Sequence, residues 1–400
     1  MEPPAAMLPQ VRLKIQRRSS HPWIFQKMVE KPETRIPGGS VVDILDRDGQ
    51  WVGRGFYNGH SRITLRVLTT NPNEAIDAAF VERRLTRAIA FRREVLGLDA
   101  VTDAYRLVHS EGDELSGLVV DRFGPVLVLE FFAAGMWRFR DTIRDILLSH
   151  FPGASWYWFA EEHIQKQESF DCRPVEPPAP VVITEHGARF RVAPGAKHKT
   201  GFFADQRDNR RMLTELCKPR PPTAMGGLRV LDLCCNTGGF AVYAKTLGQA
   251  DEVVGVDLDE EALELARQNA NLNQARIRWV QADLFPWLRY AIANGERFDV
   301  VILDPAKQTR SREEVETALK RYCDMNRLAL QVVAPGGLFL TCSCTGLVSE
   351  EMFLETLRQA AWQAGRTLQI FHVSGAGADH PFLAHVQEGR YLKAVWCRVA

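Results

Sequence analysis

The amino-acid sequence predicts an α/β protein: an open parallel sheet in the C-terminal half, preceded by a small β barrel and an α+β middle region. Three observations support this. Beyond Pro194, apolar β-rich runs alternate with helical segments, the signature of βαβ units. In the first 70 residues, short strands are separated by Asp-Gly and Asn-Gly pairs, which suit tight hairpins. The chain of 400 residues is also too long for a single hydrophobic core.

Residues 1–72 carry the strand-like runs VRLKI, SVVDILD, WVGRGFY and RITLRVL, broken at Pro37-Gly38-Gly39, Asp48-Gly49 and Asn58-Gly59. Residues 1–70 hold eleven Lys and Arg against six Asp and Glu. This basic balance suits a phosphate-rich partner, and equally a solvated surface. Asn71-Pro72-Asn73 then punctuates the chain. Across residues 73–190, a helical pattern from Ala75 to about Leu96 precedes the strand-rich YRLVHSEGDELSGLVVDRFGPVLVLEFF. A second helix is expected over 135–150, a strand in ASWYWF, and a linker or edge in DCRPVEPPAPVV. Residues 191–400 supply the strands VLDLCC, EVVGVDL, IRWVQAD, VVILD and GLFLTCS. Between them EEALELARQNANL places Ala262, Leu263 and Ala266 on one helical face.

Composition narrows the class. With 46% apolar and 25% charged residues and a formal charge of +1, the chain reads as an ordinary globular protein. No apolar run approaches the ~18 residues of a membrane span. MEPPAAMLPQ lacks the charged-then-apolar layout of a secretory signal, so a cytoplasmic location is expected. Adjacent Cys234–Cys235 and closely spaced Cys342 and Cys344 do not suit disulfides and favour free thiols. Zinc held by these four is the rival. Neither pair has the spacing of common zinc modules, so no metal is expected.

Five landmarks end successive predicted strands: Asp232, Asp257, Asp283, Asp304 and the stretch Thr341–Gly346. In an open parallel sheet they converge on one crevice at the carboxyl ends of the strands. The turn Asn236-Thr237-Gly238-Gly239-Phe240 opens a helix, so its backbone N–H groups can approach a ligand. Asp257 lies eighteen residues after Gly239, where a carboxylate accepts from ribose hydroxyls. Asp259 suits the N-cap of the following helix, which leaves Asp257 for a ligand. Asp283 is placed to meet an adenine amino group, and Leu258 and Leu284 flank these acids. Together they predict a nucleoside-containing cofactor, S-adenosylmethionine, with NAD the competitor. Asp304 and the cysteine stretch separate the two, because a dehydrogenase needs neither.

Cytosine carbon 5 is a poor nucleophile. A thiolate adding to carbon 6 makes carbon 5 enamine-like, and a base must later remove the carbon 5 proton. Cys342 and Cys344, two apart on a strand, face the same way. Cys344 lies where the backbone leaves the sheet, whereas Cys342 sits deeper in the apolar run as a small core filler. From these residues alone, Cys344 suits a core position as well as a nucleophile.

With these residues in view, the chain resembles the bacterial 23S rRNA cytosine-carbon-5 methyltransferases. Those proteins join an N-terminal PUA domain, a central α+β domain and a Rossmann-like class I S-adenosylmethionine domain. The likeness runs nearly end to end, through HPWIF (21–25), GDELSGLVVDRFG (112–124), KTGFFADQRDNR (199–210), LTCSCTG (340–346) and DHP (379–381). It implies that Cys344 is the nucleophile and that Asp304 lies close to the target base and the methyl group. It also implies that Lys199 to Arg207 form a lip over the cofactor, with Gln206 a contact. The barrel would bind RNA, and the partner would be 23S rRNA or a large-subunit precursor. Two positions depart from the family pattern: Ala306 replaces the second proline of Asp-Pro-Pro, and Asn236 replaces an aromatic residue before Thr-Gly-Gly. The general base stays open between Asp304 and Cys342. So do methylation of a base nitrogen such as guanine N7, a non-catalytic RNA-binding assembly role, and a homodimeric state.

Overall fold

The N-terminal strands curl around a shared apolar interior. The computed structural model describes residues 7–173, 175–195, 201–217 and 227–400. Strands β1 (Gln10–Arg12), β2 (Trp23–Phe25), β3 (Ser40–Leu45), β4 (Trp51–Tyr57) and β5 (Ile63–Thr69) form one sheet in the order β1-β3-β4-β5-β2. Only β1 and β3 run parallel. The two edges meet where Leu13 bridges Val29, and Lys14 N donates to Met28 O at 2.9 Å. The sheet therefore closes on itself, which removes its open edges. Its interior is apolar and includes Val11, Leu13, Val42, Ile44 and Leu65.

The first compact unit continues through α1 (Ala78–Ala90), β6 (Ala104–His109), β7 (Leu118–Phe123), β8 (Val126–Phe131), α2 (Ala134–Arg138), α3 (Arg140–His150), β9 (Ser155–Phe159) and α4 (Glu162–Glu168). Asp77 caps α1 by accepting from Phe80 N at 2.9 Å, and Phe80, Leu85 and Ile89 form its buried stripe. The sheet order is β6-β7-β8-β9. Strands β8 and β9 run parallel because α2 and α3 carry the crossover. The described residues of 192–202 and 378–389 also belong to this unit.

Residues 182–191, the described part of 203–377, and 390–400 form the second unit. After the paired strands β10 (Val181–Glu185) and β11 (Ala188–Val192) come α5 (Arg207–Cys217), β12 (Arg229–Leu233), α6 (Gly239–Thr246), β13 (Glu252–Asp257), α7 (Glu260–Leu272), β14 (Arg278–Gln281), α8 (Leu284–Ala293), β15 (Phe298–Leu303), α9 (Val315–Val332), β16 (Val333–Ser343), α10 (Glu350–Ala364), β17 (Leu368–Ser374) and β18 (Lys393–Val399). The sheet order is β14-β13-β12-β15-β16-β18-β17. The first five are parallel, and β18 is antiparallel to both of its neighbours. Alternate residues of one strand enter opposite cores: Leu231 and Leu303 on one face, Val230 and Ile302 on the other. A sheet covered on both faces explains the continuous apolar runs. Strand order reverses between β12 and β15, and in open α/β sheets the carboxyl ends at such a reversal are where ligands bind. Ala262, Leu263 and Ala266 form part of the buried face of α7, as their spacing predicts.

Candidate functional site

The turn after β12 is built from backbone that few side chains tolerate. Cys234 and Asn236 have φ of 59° and 46°, and Gly238, at φ 80°, caps α6. A Cβ at Gly238 would lie 2.6 Å from Trp279, so glycine is required for space as well as for conformation. Non-glycine residues held at positive φ persist where their surroundings over-determine them, often at ligand sites. Here the determinant is Asp257, whose Oδ2 accepts from Asn236 N at 2.7 Å while Oδ1 accepts from Asp259 N at 2.9 Å. Asp259 caps α7, as its position predicts.

Asp232 is 1% exposed; its Oδ2 accepts from Ala241 N at 2.9 Å, and its Oδ1 has no hydrogen-bond partner among the described residues. Burial pushes its carboxyl well above the usual range; the Ala241 N–H opposes this, while Asp304 and Asp257 add to it. Asp283 lies just beyond β14 and caps α8 by accepting from Phe285 N at 2.8 Å; its side chain stays exposed. Burial likewise pushes the Cys234 thiol up, and the charges of Asp257, Asp304, Asp232 and Asp283 push it further. The charges of all four acid landmarks thus reach one sulfur.

Leu258 is 65% exposed beside Asp257, an apolar surface open to a ligand, while Leu284 is half-buried against the core. The Phe240 side chain is committed to the apolar cluster behind the turn, so only its backbone remains for a ligand. The Thr237 carbonyl is held by Asn269 Nδ2 at 2.9 Å. Gln206 is buried and donates from Nε2 to Asp304 Oδ2 at 2.9 Å, while its Oε1 accepts from Asn209 at 2.6 Å. Lys199 and Thr200 of the expected lip lie outside the described residues.

A second cluster meets the first at Asp304. Cys342 is fully buried, and burial, aided by the Asp304 charge, holds its thiol well above the usual range. Cys344 is half-buried, with Sγ 4.0 Å from the Pro305 carbonyl, next to Asp304. The loop that lacks a second proline is fastened instead by Gln308. Its N–H donates to Thr345 Oγ1 at 3.1 Å and its Nε2 to Ala306 O at 2.6 Å. Tyr322 OH meets the same Thr345 Oγ1 at 2.8 Å.

Lys393 escaped the reading of the sequence. It sits on β18 opposite Ser343, is 4% exposed, and donates from Nζ to the carbonyls of Thr345 at 2.8 Å and Tyr391 at 2.9 Å. No carboxylate among the described residues lies within ion-pair distance of it. Burial pushes its ammonium down to about 8, and the charge of Cys344 is the main opposing influence. The available signal was a lysine opening the otherwise apolar run KAVWCRV.

All eight cysteines are free thiols, and no group of three or more His, Cys, Asp or Glu among the described residues is placed to hold a metal ion. No described helix is long and apolar enough to cross a membrane. What the crevice does offer is the unpartnered Asp232 oxygen, the Asp257 and Asp283 carboxylates and the exposed Leu258. That set of acceptors and apolar surface fits a cofactor bearing amine, hydroxyl and aromatic groups.

Comparison with known proteins agrees. Residues 14–70 match a PUA-like domain, and residues 155–373 match an S-adenosylmethionine-dependent methyltransferase model. Ribosomal RNA large subunit methyltransferase I of Klebsiella pneumoniae (strain 342) is 39% identical over 95% of this chain and 94% of its own length. The protein of that name from Escherichia coli (strain K12) is 38% identical over 95% of each chain. Among solved structures, SMU.776 in complex with SAH has a TM-score of 0.80 at 18% identity, covering 98% of this chain and 100% of that one. A Streptococcus mutans structure designated a SAM-dependent methyltransferase has a TM-score of 0.77, with the same identity and coverage. These two structures establish the fold alone. By its matched domains and its curated relatives, the chain belongs to the S-adenosylmethionine-dependent methyltransferase family, in the group of ribosomal RNA large subunit methyltransferase I.

Proposed function

We propose that this protein methylates carbon 5 of a cytosine in large-subunit ribosomal RNA, with Cys344 as a covalent nucleophile. The observation that carries the proposal is the half-buried Cys344 beside the Asp304–Pro305 loop, near a buried lysine that has no counter-ion among the described residues. The RNA substrate is taken from the relatives of the same name and from the PUA-like domain.

Asp257 would hold the ribose of S-adenosylmethionine and Asp283 its adenine edge. Asp232 and the turn from Asn236 to Phe240 would hold its amino-acid end. When bound, this cofactor supplies an electrophilic methyl group.

The chain's own residues do the rest. The thiolate of Cys344 adds to carbon 6 of the cytosine, and the electron pair displaced from the 5,6 double bond makes carbon 5 nucleophilic. Lys393, positively charged beside it, favours the anionic sulfur. After carbon 5 is methylated, a base takes its proton, the double bond re-forms, and Cys344 leaves as thiolate. Cys342 is sealed in the core, so Asp304 is the better placed acceptor, its carboxylate oriented by Gln206.

The test is nucleoside mass analysis of large-subunit RNA after incubation with the purified protein and isotopically labelled S-adenosylmethionine. The label is expected in 5-methylcytidine. Label on a purine nitrogen would replace this reaction with thiol-independent chemistry.

A further inference from the structure

The first unit contains a cavity of about 520 Å3 whose lining includes Arg17, Arg18 and Arg84, two glutamates and several hydroxyls. It is lined jointly by residues of the closed N-terminal sheet and of the region that follows it. The charges in it do not cancel. Glu111 is engaged by Arg66, Trp23 and Ser116, and the Glu114 carboxylate by Arg87. Neither Arg66 nor Arg87 lines the cavity.

Among the described residues, the three arginines that do line it meet only neutral oxygens. Arg17 donates to the carbonyls of Val52 at 2.9 Å and His21 at 3.3 Å, and Arg18 to Gln16 Oε1 at 3.4 Å. Arg84 donates to the carbonyls of Leu68 at 2.6 Å and of Glu114. Glu114 and Glu74 favour its charge from beyond ion-pair distance. Arg17 is half-buried with its Nε unpartnered, and burial pushes its guanidinium down. Holding a partly desolvated cation without a counter-ion is unfavourable, and an anionic ligand would relieve it. Val52, Val67 and Leu383 add apolar surface to the lining, and the volume lies within the range of small-ligand sites.

We propose that this cavity seats one unpaired nucleotide of the RNA, its phosphate on Arg17, Arg18 and Arg84 and its base against Val52, Val67 and Leu383. This rests on the RNA reading given above and adds a contact remote in sequence from the methyl-transfer residues. A guanidinium fork suits phosphate oxygens, and an apolar wall accepts any base face, so the site is expected to be tolerant of sequence.

The test uses the full chain and a single-stranded RNA 12-mer, with affinity measured by fluorescence anisotropy over a range of salt. The variants are Arg18→Glu, at an exposed position, and the double variant Arg17→Gln/Arg18→Gln. The double variant is expected to bind about 10-fold more weakly and to lower the slope of log affinity against log salt by about 0.7, the value for one phosphate. S-adenosylmethionine binding by calorimetry should be unchanged, which certifies the fold. Wild-type affinity and slope in both variants would overturn the cavity while leaving the RNA reading intact. An intact protein that binds no RNA would overturn both.

Discussion

Two regions of this protein bury charge, and they treat it in opposite ways. In the first unit, Arg92 is fully buried and bidentate with Asp113 at 2.5 and 2.8 Å, and it also donates to the Asp379 carbonyl. Arg106 is bidentate with Asp121 at 2.8 Å, and its backbone N–H donates to Asp379. Positive and negative groups answer each other there, as burial demands. At the strand ends of the second unit, the charges of four carboxylates reach Cys234; among the described residues, one oxygen of Asp232 has no hydrogen-bond partner and Lys393 meets only carbonyls. Buried charge that is answered holds a fold together; buried charge left unanswered is kept for a ligand or a reaction. The DHP stretch illustrates the point, since its Asp379 belongs to the satisfied network and not to the crevice.

Substitutions distinguish the two kinds of burial. The largest effect is expected at the sulfur. Cys344→Ala should lower turnover by about 10^4-fold or more while leaving S-adenosylmethionine binding by calorimetry intact. Retained turnover would mean that the unsatisfied cluster is not a reaction site. Next, Arg92→Met should destabilise the protein by about 3–5 kcal/mol in urea unfolding, because Asp113 is left buried without its partner. A loss below 1 kcal/mol would show that the network is not structural.

Lys393→Met should reduce turnover by about 10–100-fold, and its pH profile should reveal why. The folded-state value near 8 lies below the ordinary 10.5, so Lys393 keeps its charge up to about pH 8 and loses it above. Wild-type activity should therefore decline as pH rises through 8, and the variant should lack that decline. Stability has the opposite sign. Between pH 8 and 10.5 the unfolded chain still holds the proton that the folded chain has released, so stability rises across this window. A variant with an unchanged pH profile would remove Lys393 from the mechanism. The smallest effect concerns His109, which burial above all, with His380, Arg106 and Arg92, holds well below its usual 6.5. The unfolded chain takes up this proton first. Thermal stability should thus fall as pH drops below about 6.5, and less so in His109→Gln.

Much of the site could be read locally. An apolar strand that ends in aspartate is visible within one short window, and this exposed Asp232, Asp257, Asp283 and Asp304. Cys344 was legible for the same reason, although its chemistry needed the family likeness. Contacts made by antiparallel or distant segments were not. Lys393 reaches Thr345 across 48 residues, through an antiparallel strand that breaks the βαβ rhythm. Arg92 meets Asp379 across 287 residues, so the satisfied network leaves no local trace. Gln206 was read as a cofactor contact, and its amide is found holding Asp304 across 98 residues. The Phe240 side chain lies in the core, since an aromatic residue opening a helix serves packing as readily as a ligand.

The most direct measurement uses RNA in which cytidine is replaced by 5-fluorocytidine, incubated with the protein and S-adenosylmethionine. Fluorine takes the place of the proton that the base must remove, so the sulfur cannot be released. Peptide mass spectrometry should find RNA joined to the fragment that carries Cys344, and Cys344→Ala should give none. Methylation of unmodified RNA with no trapped species, or a bond to any other residue, would contradict the nucleophilic role of Cys344.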